Sequence, residues 1–135
     1  MRSPPGVCIS EKQLHIPARL LIADDHPIVR MGVRFLLANQ PWFEICGEAT
    51  NGIEAVKKIV DLLPDLVILD LSMPLLNGFD TALEIKRVAP STKIVLFSIH
   101  EMPSTARIIG ADAFVQKGSP PAELIHTIHH VLQLD

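Results

Sequence analysis

From Arg19 onward the chain separates five short aliphatic runs, Leu20 to Ala23, Phe43 to Cys46, Leu66 to Leu69, Ile94 to Phe97 and Ala113 to Val115, by longer amphipathic stretches. Each run has the length of a strand, and the third is apolar without alternation, as a strand covered on both faces requires. Between the runs, apolar residues recur at helical spacing: Ile28, Val29, Val33, Leu36 and Leu37 after the first, and Ile53, Val56, Ile59, Val60 and Leu63 after the second. Each set predicts a helix that buries one face. Asn51 with Glu54 resembles a capping box that opens the second helix, and Pro64 closes it. Asn77-Gly78 is a turn signal with Asp80 near the start of the next helix. Ser119-Pro120 reads as the cap and first position of a last helix whose stripe is Leu124, Ile125, Ile128, Val131 and Leu132. The segment from Met102 to Gly110 is short and contains Pro103, which predicts about one or two helical turns at most.

Strand and helix alternate throughout, and parallel strands need crossover connections, so the pattern predicts an α/β domain with a parallel sheet and helices on both faces. Residues 1–17 hold three prolines and little periodicity and are expected to form a flexible N-terminal extension, leaving 18–135 as the domain. At 135 residues and 48% hydrophobic, the chain has material for one core. The net charge of -3 gives none of the clustered positive charge that phosphate-backbone binding demands, so direct DNA binding by this chain is not expected. Cys8 and Cys46 have no metal-type spacing, which fits a reducing, cytoplasmic setting, and Cys8 reads as an exposed thiol whose dimer would be an oxidation artefact. No window reaches the roughly 18 consecutive apolar residues of a membrane span.

Ligands of such sheets bind at the carboxyl ends of the strands. The residues there are Asp24 and Asp25 after the first strand, Asp70 after the third, Ser98 after the fourth and Lys117 after the fifth. Three carboxylates brought to one rim repel and call for a cation. Hard oxygen donors in an open arrangement suit Mg2+ together with a phosphate, and a lysine and a hydroxyl at the same rim add groups that hold phosphate oxygens. Taken singly, Asp70 would be a turn residue and Lys117 a solvated one; the five together point to phosphoryl chemistry.

The acidic pair in LLIADDHP, the acceptor in LVILDLSMPLLNG, the hydroxyl in IVLFSIH and the lysine in GADAFVQKG resemble the receiver domain of two-component response regulators over roughly residues 18–134. DDHP, GEATNG and GADAFVQK further resemble the NarL/LuxR-type subgroup, whose receivers are usually joined to a helix-turn-helix DNA-binding domain. The resemblance implies a flavodoxin-like fold with strand order 2-1-3-4-5, for which a chemotaxis receiver is a standard example. It makes Asp70 the phosphoacceptor, with Mg2+ held by Asp24 through water, by Asp25 and Asp70, and by the backbone carbonyl of Ser72. Ser98 and Lys117 would bind the phosphate, and Phe114 would be the aromatic switch. Ser72 and His100 would tune dephosphorylation. The implied partner is a sensor histidine kinase, with room for a homodimer; DNA would be reached only through an output domain, and no membrane is involved.

Three features depart from the family. Ser98 and Lys117 lie 19 residues apart, about three fewer than usual, or nearly one helical turn. This implies a shortened fourth helix, an altered output face and an intact acid cluster. Ile99 is bulkier than the small residue often found beside the hydroxyl. The chain also ends at Asp135 with no DNA-binding domain, so either an output domain follows in the native gene or the regulator acts alone through protein contacts. A pseudo-receiver would not need all five site residues. A haloacid-dehalogenase-like phosphohydrolase would need an acid two residues past the nucleophile, where this chain has Ser72. His126, His129 and His130 have a helical spacing that can present a metal face, but no acidic or thiolate partner supports one, so they read as surface histidines. His26 is expected at the mouth of the rim without a catalytic role.

Overall fold

Along the first strand, β1 (Ala18–Ala23), successive side chains point to opposite faces, and every side chain from Leu20 to Ala23 is buried. A computed structural model describes residues 16–99 and 110–133. In chain order it contains β1, α1 (Pro27–Ala38), β2 (Phe43–Ala49), α2 (Gly52–Leu62), β3 (Leu66–Leu69), α3 (Gly78–Val88), β4 (Lys93–Ser98), β5 (Ala113–Gln116) and α4 (Pro121–Leu132). All neighbouring strands are parallel, in the order β2-β1-β3-β4-β5. This is the sheet expected from the sequence. The expected short helix between β4 and β5, and the deletion assigned to it, lie outside the described residues except for Gly110.

The strands divide their side chains between two cores. Leu21, Ala23, Val67, Leu69, Ile94 and Leu96 pack with Ala55 and Ile59 of α2 and Ala82 and Ile85 of α3. Leu20, Ile22, Leu66, Ile68 and Val95 pack with Val33 and Leu37 of α1 and Leu124 and Ile128 of α4. Each fully buried Leu or Ile contributes about 1.5–3 kcal/mol relative to exposure, so the unbroken run of β3, buried on both faces, is the centre of the fold.

The helices bury narrower faces than their apolar stripes suggest. On α1, Val33 and Leu37 are buried and Val29 and Leu36 pack at the edge, but Ile28 is 78% exposed. On α2, Ile59 is buried as expected, whereas Ile53, Val60 and, just past its end, Leu63 are exposed, and Ala55 is fully buried in the core. Small residues are favoured where helix and sheet approach closely, and a stripe scored on large apolar residues overlooks them.

Caps follow the sequence with two adjustments. The Asn51 side chain accepts the Glu54 N–H at 2.8 Å, but the returning Glu54 carboxylate is met by the N–H of Thr50 at 3.3 Å, one residue before the cap. Asn77, read as a turn residue, caps α3 by accepting the Asp80 N–H at 2.9 Å. The last helix starts one residue later than expected: Pro120 is extended at ψ 139° and Pro121 is the first helical residue. A proline disfavours the helical conformation in the residue before it, so Pro121 excludes Pro120 from the helix. β2 also runs further than expected, to Ala49, because the register slips by one between Leu20 and Leu21 and leaves Cys46 as the extra residue.

The loop from Leu71 to Asn77 returns tightly to the start of α3. A Cβ at Gly78 would lie 2.3 Å from Leu71 Cα and 2.9 Å from the Asp70 carbonyl oxygen, while Gly32 on α1 has nothing within 4 Å. Gly78→Ala is therefore expected to lower stability in urea unfolding by about 1–3 kcal/mol through forced backbone displacement. Gly32→Ala should raise it by about 0.5–1 kcal/mol through helix propensity alone.

Candidate functional site

Three strands, β1, β3 and β5, extend the hydrogen-bond ladder one residue past their ends, and those residues are polar. The Asp24 N–H donates to the Ala49 carbonyl at 3.0 Å, the Asp70 N–H to the Ala23 carbonyl at 2.9 Å, and the Lys117 N–H to the Ser98 carbonyl at 2.7 Å. Because Ala23 pairs with Leu69, the residues that follow them emerge side by side at the carboxyl edge. Backbone pairing thus positions the rim before any side-chain interaction is made.

Asp24 and Asp70 are each only 2% exposed, and Ser98 is fully buried at the end of β4. Lys117 Nζ lies 2.6 Å from Asp24 Oδ2 and 3.5 Å from Asp70 Oδ1, so the lysine bridges the two buried carboxylates. It also stands 5.7 Å from the centre of the Phe97 ring, a cation–π distance. The Ser72 N–H donates to Asp70 Oδ1 at 3.2 Å. Asp25 Oδ1 and Asp70 Oδ2 are buried and have no hydrogen-bond partner. Burial pushes the Asp70 carboxyl above its ordinary range and the neighbouring Asp24 charge adds to this, while the Ser72 N–H and the Lys117 charge oppose it.

The structure brings Asp24, Asp25, Asp70 and Lys117 together and sets Ser98 at the same edge. Ser72 is exposed just past the acceptor. Phe114 is half-buried against the core on the α2 and α3 face. His100 lies outside the described residues, as does Cys8. Cys46 is half-buried, and burial raises its thiol pKa, which makes it a poor nucleophile. His129 packs against Phe43, with ring centroids 4.8 Å apart and planes at 52°. That contact gives His129 a packing role in keeping with the reading of the helical histidines as non-ligands.

Two residues have a larger part than their sequence signals gave them. The His26 N–H donates to Asp24 Oδ1 at 2.9 Å, and its ring Nδ1 lies 3.2 Å from Asp24 Oδ1 and 3.0 Å from Asp25 Oδ1. Its position next to the acidic pair was the available hint. Arg30 donates from Nη1 to the Asp24 carbonyl at 2.7 Å and from Nε to Glu48 Oε1 at 3.1 Å. Nothing local in the sequence marks it, since the contact joins α1 to the end of β2.

One ligand atom from each of Asp24, Asp25, His26 and Asp70 lies within 4.8 Å of the others. Two ligands about 2.0–2.2 Å from one cation lie at most about 4.4 Å apart, so atoms at that spread would close by a few tenths of an ångström around it. Asp70 Oδ2, buried without a hydrogen-bond partner, is the atom that most needs one, while Asp25 Oδ1 meets the His26 ring nitrogen at 3.0 Å. The site therefore fits a small divalent cation on the grounds of both donor chemistry and unmet charge.

The response regulator receiver domain family model matches residues 20–129. The nitrate/nitrite response regulator protein NarL of Escherichia coli (strain K12) is 38% identical over 116 residues, covering 84% of this chain and 54% of NarL. The chemotaxis protein CheY of Thermotoga maritima is 36% identical over 118 residues, covering 84% of this chain and 96% of CheY. The crystal structure of a LuxR-family two-component response regulator from Aurantimonas sp. SI85-9A1 superposes with a TM-score of 0.82 at 33% identity, covering 87% of this chain and 86% of that one. Apart from CheY, which it nearly spans, the chain covers about half the length of such curated relatives as NarL. The parallel sheet, its carboxylate rim and these matches lead to one family: the chain belongs to the receiver domains of two-component response regulators, which are signalling proteins, and within them to the NarL/LuxR-type subgroup.

Proposed function

We propose that Asp70 accepts a phosphoryl group from the phosphohistidine of a sensor histidine kinase. The observation that carries this reading is the buried Asp70 carboxylate, whose Oδ2 has no hydrogen-bond partner while Oδ1 is held by the Ser72 N–H. The carboxylate is thus oriented through one oxygen and carries unmet charge on the other, as a nucleophile served by a cation requires. The P–O bond to Asp70 forms as the P–N bond of the donor breaks, and the departing imidazole takes up a proton. Asp24, Asp25, Asp70 and the Ser72 carbonyl would hold Mg2+, which when bound neutralises the carboxylates and the incoming phosphoryl charge. Lys117 is near enough to Asp70, at 3.5 Å, to transfer its charge from the carboxylates to the phosphate oxygens.

The remaining roles follow from the same reading. The Ser98 hydroxyl would donate to a phosphate oxygen, and the half-buried Phe114 would turn further inward and change the surface beside β5. Ser72 and His100 would set the lifetime of the acyl phosphate, and phosphoryl gain and loss are the only chemistry assigned to the chain itself. The exposed apolar residues Ile28, Met31 and Phe35 of α1 begin next to the acid rim and offer a surface for the kinase. The signal would control transcription through an output domain of the kind joined to receivers of this subgroup, in the cytoplasm.

Incubation with Mg2+ and acetyl phosphate should add one phosphoryl group by mass spectrometry, stable to acid and labile to base, and Asp70→Asn should add none. Wild-type protein that gains no such adduct and does not respond to beryllofluoride would sink the reading. Burial of Asp70 generates a second expectation. A carboxyl whose folded pKa is raised contributes stability below its unfolded pKa and loses it as pH rises through the folded value. In metal-free buffer at neutral pH, Asp70→Asn should therefore melt at a higher temperature than wild type, with the difference shrinking as pH falls through the raised folded value to the ordinary carboxylate range. Added Mg2+ should narrow or reverse the difference, because it stabilises only the protein that binds it.

A further inference from the structure

His26 is the member of the acid rim to which phosphoryl transfer gives no task. Its backbone is pinned by the hydrogen bond from its N–H to Asp24 Oδ1, yet its side chain is 63% exposed. Nδ1 nevertheless turns inward, 3.0 Å from Asp25 Oδ1 and 3.2 Å from Asp24 Oδ1. The ring nitrogen thus lies among the carboxylate oxygens, inside the 4.8 Å span that also takes in Asp70. The buried Asp70 Oδ2, which has no hydrogen-bond partner, independently marks the same point as one that needs a cation.

Donor chemistry determines which cation. A set made only of carboxylate, carbonyl and water oxygens suits Mg2+, which keeps its waters and gains little from nitrogen. Imidazole is a better donor for the first-row transition ions, whose affinity for a mixed N/O site rises along the series from Mn2+. An imidazole held among three carboxylates changes the preference of the site in that direction.

Building on the cation site of the phosphoryl-transfer reading, we propose that His26 is a metal ligand through Nδ1, making the receiver site a mixed nitrogen and oxygen site that favours first-row transition-metal ions over Mg2+. The ring would carry its proton on Nε2, which faces away from the carboxylates. The ion would replace the contacts that Nδ1 makes to Asp24 and Asp25 in its absence. The competing account is that the imidazole only hydrogen-bonds to the acidic pair and takes no place in the coordination shell.

The test uses Mn2+ as the probe on the full chain, with His26→Asn as the variant. Asparagine is a good residue at a helix N-cap, the position His26 occupies before α1, and it exchanges the nitrogen donor for an oxygen. Pulsed electron paramagnetic resonance of the Mn2+ protein should show a 14N coupling that excess Mg2+ displaces and that His26→Asn lacks. Competition between Mn2+ and Mg2+ should show the preference for Mn2+ falling about tenfold in the variant, the lower end of what outer-shell partners of metal ligands are worth. Three results would each overturn the proposal: no 14N coupling in wild type, a coupling that persists in His26→Asn or resists Mg2+, or an unchanged preference. Asp25→Asn separates this from the underlying reading. If that variant binds Mn2+ as tightly as wild type, the carboxylate site itself is wrong and the proposal goes with it; if it loses Mn2+, the outcome for His26 rests on the nitrogen signal alone.

Discussion

The bridge from Lys117 to Asp24 and Asp70 is the interaction on which the rest of this molecule depends. Two carboxylates are held almost wholly out of water at the ends of adjacent strands, and burying an unpaired charge costs several kcal/mol even after local relaxation. The ammonium of Lys117, 2.6 Å from one and 3.5 Å from the other, offsets that cost only in part, since the Asp70 carboxyl is still pushed toward its neutral form. On the proposed reading, a rim with more negative charge than one lysine can balance takes up a cation and then a phosphoryl group. Function here grows from incomplete neutralisation.

The sheet makes this arrangement inexpensive to hold. Hydrogen bonds that continue the ladder past β1, β3 and β5 fix the backbones of Asp24, Asp70 and Lys117, so the side chains need little further ordering to meet. The two cores on either face of β3 keep those strand ends in register. Arg30 joins the acidic pair to β2 through Glu48, and Gly78 lets the loop after Asp70 return without displacing its carbonyl. Preorganised charge of this kind is the main resource for phosphoryl transfer, in which the protein supplies positioning and electrostatics rather than covalent steps beyond the attack itself.

Much of the architecture was legible along the chain because parallel strands and amphipathic helices leave strong periodic signals. The acid rim was legible because polar residues that interrupt aliphatic runs mark strand ends. Which helix face turned inward was less so. Ile28, Ile53 and Val60 belong to the apolar stripes yet are exposed, while Ala55, which carries little hydrophobic signal, is fully buried. Side-chain size at a close helix–sheet contact decides that choice, and it depends on the partner surface. The start of α4 moved by one residue for a local reason, the paired Pro120 and Pro121, which a cap signal alone does not resolve.

The sequence by itself determined the order of strands and helices and the chemical identity of the rim, because both are written in short-range pattern and residue type. Only the tertiary structure decided how the charges were shared. That Lys117 bridges Asp24 and Asp70, that Arg30 holds the Asp24 carbonyl, and that the His26 ring turns in among the carboxylates are contacts set by strand register and by how α1 packs. Electrostatic energy varies with distance and burial, quantities that a linear chain acquires only when it folds.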